Sequence, residues 1–155
     1  MKKILAVFMA IAMMLGCGAA LAEDEPAPMP EKAAAYEGNW TCDRAEIEMI
    51  WEEEGFRVLI TWGNGADSTT QWEYSCTYNE KDHTLASVVN NGIKTERVFN
   101  DNGEEISAKV EYEDGEATFS LDENGHLIWH DMKEDAGKDM AFEYVGPIDL
   151  NLGLD

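Results

Sequence analysis

Asn64-Gly65, Asn91-Gly92, Asn102-Gly103, Asp114-Gly115 and Asn124-Gly125 punctuate this chain, and with Glu54-Gly55 and Asn79 to Asp82 they fall mostly ten to twelve residues apart. Such dipeptides suit tight hairpin turns, whose central residues must tolerate positive φ. The intervals are too short for packed helices and right for strands. Between the turns the apolar residues alternate: Ile47, Met49 and Trp51; Phe56, Val58, Ile60 and Trp62; Trp72, Tyr74, Cys76 and Tyr78. The pattern continues with Ile93 and Phe99; Ile106, Ala108, Val110 and Tyr112; Ala117, Phe119 and Leu121; Leu127 and Trp129; and Met140, Phe142 and Tyr144. Period two places each set on one face of a strand. Only Lys133 to Asp139 has room for a helical turn.

The expected fold is therefore all-β, an antiparallel up-and-down meander of eight or nine short strands. Two architectures satisfy it, a small barrel and a β-sandwich. Consecutive hairpins without long crossovers favour the barrel, which also hides strand edges.

The ends of the chain read differently. Met1-Lys2-Lys3, the apolar run Ile4 to Leu15 and the small-x-small site Ala20-Leu21-Ala22 form a signal peptide over 1–22, too short to span a bilayer. Met14 to Cys17, "MLGC", resembles a bacterial lipobox, so lipidation of Cys17 is the alternative to a soluble secreted chain; Met at its first position departs from the usual Leu. Residues 23–35 carry three of the four prolines and read as a flexible tether. The expected domain covers 36–145, and 146–155 a loosely held tail.

Charge narrows the partners. Eleven Lys and Arg face 32 Asp and Glu for a net of -21, and removal of Lys2 and Lys3 with a leader that holds no acid takes it to -23. Such a surface repels phosphate backbones and anionic lipid, which argues against nucleic-acid partners and against membrane contact except through a lipidated Cys17.

Gly38-Asn39-Trp40, just ahead of the first alternating segment, resembles the G-x-W start of lipocalin and calycin barrels. That resemblance implies a barrel whose end is closed by Trp40, packed against a late basic side chain for which Lys133 and Lys138 are the counterparts. Over most of Gly38 to Tyr144, "WTCDRAEIEMI", "QWEYSCTY" and "FSLDENGHLIW" are similar to a group of exported proteins and lipoproteins of Gram-positive anaerobes, a likeness that implies export and brings no activity with it.

Cys42 and Cys76 are the cysteines left after the leader, and export favours a disulfide between them, closing a loop of 33 residues. Such a bridge contributes about 3 kcal/mol by chain entropy. A flat meander would hold the two apart, so the bridge needs a bend or a separate strand at Trp40 to Arg44.

Other chemistry is sparse. Ser120 to Asp131 approaches a calcium loop, with Ser120, Asp122, Asn124, Gly125 and Asp131 at ligand or turn positions, but strand-like flanks favour a hairpin. His126 and His130 would meet a metal on a helix; on a strand they lie about 13 Å apart. His83 reads as surface. No nucleophile elbow, phosphate cradle or cofactor motif is present. Asp43 and Arg44, with Glu46, read as a polar cluster at the barrel end.

These readings leave three classes. The first is a non-enzymatic structural or interaction module whose aromatics fill the interior, with a protein partner unnamed. The second is a lipocalin-like binder of a small apolar ligand lined by Trp51, Trp62, Trp72, Tyr74, Tyr112 and Trp129, with Trp40 and Arg44 at the barrel end. An enzyme is the third and least supported. An eight-stranded barrel is only wide enough for side chains, which favours the first class.

Overall fold

In the computed structural model, which describes residues 27–148, ten antiparallel strands form one curled sheet. They are β1 (Gly38–Cys42), β2 (Ala45–Glu52), β3 (Gly55–Gly63), β4 (Ser68–Asn79), β5 (Thr84–Ser87), β6 (Gly92–Phe99), β7 (Glu105–Gly115), β8 (Ala117–Leu121), β9 (Leu127–Asp131) and β10 (Glu143–Gly146). The fold is all-β and barrel-like, as the turn spacing predicts. Among the described residues no helix is long and apolar enough to cross a membrane.

The strand count exceeds the expected eight or nine because two long passes are broken. The far edge of β4 is shared: Ser68 to Glu73 pairs with β6 and Cys76 to Asn79 with β5. β5 and β6 thus make one pass interrupted at Val88 to Asn91. On the next pass β7 pairs with β6 and β8 with β5, with only Glu116 between them. The ten strands amount to eight passes in up-and-down order. β10 returns beside β1, and Leu127 and Phe142 exchange two backbone hydrogen bonds of 2.9 Å that join the ends of the sheet.

Local chemistry sets the corners. Glu53, at φ 53, turns β2 into β3, and Asp43, at φ 54, turns β1 into β2. Asp114-Gly115 is not a hairpin: Gly115 lies opposite Gly92 where the two passes are broken. A Cβ on Gly92 would come within 2.4 Å of the Tyr74 ring, and one on Gly115 within 2.8 Å of the Tyr112 ring. These glycines make room for rings.

Alternation fills the concave side. Ile47 and Met49, then Phe56, Val58 and Ile60, then Trp72, Tyr74 and Cys76 are buried, and Leu85, Phe119, Leu127, Trp129 and Phe142 complete one core. Full burial of such side chains stabilises by about 1.5 to 3 kcal/mol each. β7 departs from the expectation: Ile106 and Val110 are exposed, on a strand that has only β6 beside it.

The expected tether is partly docked. Ala33–Ala35 forms a 3-10 turn, Ala33 and Tyr36 are buried, and Met29 packs on the core. Tyr36 donates to the His83 carbonyl at 2.6 Å, and Lys32 Nζ lies 3.1 Å from His83 Nε2, so His83 anchors this segment. At the other end Gly146, expected in the tail, belongs to β10, and the Pro147 carbonyl accepts from Asn39. The expected signal peptide with Cys17, residues 23–26 and residues 149–155 lie outside the described residues.

The expected bridge is absent: Cys42 and Cys76 are both free. β1 is indeed a separate strand, yet register keeps the sulfurs apart. Cys42 pairs with Ala45, Ala45 with Trp62 and Trp62 with Thr70, six residues from Cys76 along β4. That is about 20 Å of strand, against about 6 Å between the Cα atoms of a disulfide. Burial pushes the Cys76 thiol up to about 12, while Cys42 is half-buried. Alkylation without reductant, followed by peptide mapping, is expected to label Cys42 first in the native protein and both cysteines after denaturation. A Cys42–Cys76 linked peptide would contradict this register.

Candidate functional site

Five of the six expected lining residues gather at one end of the core. Trp62 on β3 and Trp72 on β4 have ring centroids 6.3 Å apart, and Trp72 meets Trp129 of β9 edge-on at 5.2 Å and 68°. Tyr74 packs on Phe119 at 6.1 Å. Trp72 Nε1 donates to the Tyr112 hydroxyl at 3.1 Å, reaching across β6 to β7. Trp51 is elsewhere: it packs on Phe56 beside the β2–β3 turn, 5.2 Å between centroids. A common period of two put all six in one lining, but Trp51 sits at the opposite end of its strand from the level of Trp62.

Two lysines cover the cluster. Lys94 Nζ lies 5.4 Å from the Trp72 ring and 5.8 Å from the Tyr112 ring and pairs with Glu134 at 2.7 Å. Lys133 Nζ sits 4.6 Å from the Tyr112 ring and pairs with Asp114, holding that carboxyl below its ordinary value. Lys94, Glu134 and Asp114 were not legible as a unit, since they come from a strand, a loop and a bulged strand end.

The loop that carries Lys133 and Glu134 is organised by Asp131. Its buried carboxylate accepts from the backbone N–H of Lys133, Glu134 and Ala136 at 3.1 to 3.2 Å. Asp131, the last position of the near-match to a calcium loop, holds backbone donors. The rest of that stretch is a hairpin in which Asp122 Oδ1 accepts from Asn124 and His126 at 2.8 Å and Gly125 has φ +82. Ser120 pairs with Ile128 within the β8–β9 ladder. His126 Nδ1 reaches Asp122 at 3.1 Å and His130 faces Asp135 at 3.7 Å, so the two histidines serve different carboxylates.

Trp40 is buried, donates to the Tyr36 carbonyl at 2.9 Å, and meets the Tyr144 ring at 5.1 Å. Gly38 has φ +134, and a Cβ there would lie 2.5 Å from Tyr144, which explains the glycine two residues before the tryptophan. The expected lysine over Trp40 is replaced by Tyr144: Lys133 lies on Tyr112, and Lys138 reaches toward Asp135 at 4.0 Å. The expected polar cluster at the barrel end is an exposed turn with Arg44 and Asp43 3.8 Å apart; what holds the turn is the Arg44 carbonyl accepting from Gly63 at 3.0 Å. Glu46 is likewise exposed.

Chemically the cluster is closed. Its ammonium groups are paired and its rings touch. Tyr74 Oη and Trp129 Nε1 are buried without a hydrogen-bond partner among the described residues. An open cleft of about 560 Å³ lies between the β2–β3 turn and β4, where Arg57 pairs with Glu52 at 2.9 Å. Comparison of the chain with protein-family models, curated proteins and solved structures finds no match.

Burial raises Tyr112 to about 12 and Tyr36 to about 12, with the charge of Asp131 adding to the first and Tyr78 to the second; burial and Asp131 push Tyr74 higher still. Folding therefore favours the neutral phenols. Their contribution is complete below the unfolded value of about 10 and is lost as pH rises toward about 12. Titration followed by tyrosinate absorbance and circular dichroism is expected to show these three ionising together with loss of structure. Full ionisation with an intact strand spectrum would contradict their burial.

Proposed function

We propose that this chain is an exported, non-enzymatic structural or interaction module, secreted after removal of residues 1–22 or held at the cell surface through Cys17. The observation that carries this reading is the packing of side chains from successive passes against one another in one core. A side-chain-filled interior leaves the exterior as the working surface. The large negative charge keeps that exterior solvated and directs it away from nucleic acid and anionic lipid.

One observation favours the second reading, a small apolar ligand within the aromatic cluster. Tyr74 Oη and Trp129 Nε1 are polar atoms that a guest with a hydrogen-bond acceptor would satisfy. The two readings separate in one experiment. Melting temperature and tryptophan fluorescence are expected to stay unchanged across fatty acids, bile acids, haem and aromatic metabolites. A melting temperature that climbs with ligand concentration would support the second reading and contradict the first, since a ligand that binds only the folded state stabilises it by mass action.

A further inference from the structure

The β6–β7 ribbon leaves β7 with a neighbour on one side only. β7 is 11 residues long, pairs with β6 alone, and is exposed along nearly its whole length. Ile106 and Val110 are 63% and 51% exposed, and Ile93 on β6 adds apolar surface to the same ribbon. Unpaired backbone groups along such an edge are a template for another strand.

We propose that the outer edge of β7 receives an extended, cationic segment of a partner protein, which adds as a strand beside Ser107 to Val110. This rests on the reading of the chain as an interaction module and names where and what it binds. Across those residues the ladder with β6 is regular, from Val98↔Ser107 to Thr95↔Val110, with irregularities on either side.

Charge selects the guest. The bases of the ribbon are already matched: Arg97 by Glu105 at 2.5 Å, Lys109 by Glu111 at 2.6 Å and Lys94 by Glu134 at 2.7 Å. Glu113, near the far end of the edge, and Glu104, in the turn before it where it accepts from Asn100 at 2.8 Å, have no cationic partner among the described residues. An incoming strand with Lys or Arg at both ends and alternating apolar residues between them meets both carboxylates and the exposed Val110.

A second copy of the chain fits less well. It would bring another net charge of -21 and an edge with the same carboxylates, and the irregularities of the ladder twist the ribbon away from flat pairing with a rigid twin. A flexible peptide follows that twist.

The test uses the mature chain and a fluorescent peptide of alternating valine and threonine with two lysines at each end. Binding is expected by anisotropy, with hydrogen-exchange protection gained at β7 amides. It should weaken about tenfold or more when salt rises from about 0.01 M to about 1 M, as screening shortens the Debye length. A peptide N-methylated at alternate residues should lose binding at least tenfold. The double variant Glu104→Lys, Glu113→Lys should weaken binding at least tenfold with its melting temperature unchanged. Equal binding of the N-methylated peptide, protection confined to other strands, absence of binding, or self-association that protects β7 would each overturn the proposal. A small-molecule melting shift without loss of peptide binding would instead overturn only the filled-interior reading, so the two failures are told apart.

Discussion

The edge-on contact of Trp72 with Trp129 joins the fourth pass to the seventh across the interior, and the rest of the aromatic end depends on it. Trp62 backs onto Trp72, whose indole N–H fixes Tyr112, and the Tyr112 ring in turn carries Lys133. Gly137 lies so close to Trp129 that a Cβ would be 2.5 Å from its carbonyl oxygen, so the loop after β9 is drawn over the same ring. A packed interior of this kind loses contacts outright if one ring shrinks, because protein cores tolerate little void volume.

The break within the β5–β6 and β7–β8 passes gives the molecule its two unlike halves. Where Gly92 faces Gly115, the Tyr74 and Tyr112 rings occupy space that side chains on those glycines would take, and the sheet divides there. On one side, β5 and β8 run on into the joined part of the sheet, ended by Leu127 and Phe142. On the other, β6 and β7 extend as a ribbon that leaves Ile93, Ile106 and Val110 in solvent. One local packing constraint thus creates both the closed core and the exposed edge.

Much of this was legible because turn chemistry and strand period are local. The dipeptides at Asn102-Gly103 and Asn124-Gly125 mark real hairpins, and the alternation in β2, β3 and β4 marks real buried faces. What was hidden is set by register and by contacts remote in sequence. Asp114-Gly115 has the composition of a turn, yet its glycine serves the Tyr112 ring. The distance between Cys42 and Cys76 follows from three ladders in succession, and Trp51 shares the period of Trp62 while lying at the far end of the hairpin. Ala33 and Tyr36 dock a segment whose proline content alone suggests a free tether. The cover of Lys94 and Lys133 over the rings depends on a loop organised by Asp131, whose grip on three backbone donors no sequence pattern marks.

A double-mutant cycle on Trp72→Phe and Trp129→Phe, read by urea denaturation, tests most directly whether these rings fill the interior against each other. Each single variant is expected to destabilise the fold, and the pair should show a coupling of about 1 kcal/mol, as aromatic pairs in edge contact do. Losses that simply add, within about 0.3 kcal/mol, would mean that the two rings do not support one another and that the core is organised in some other way.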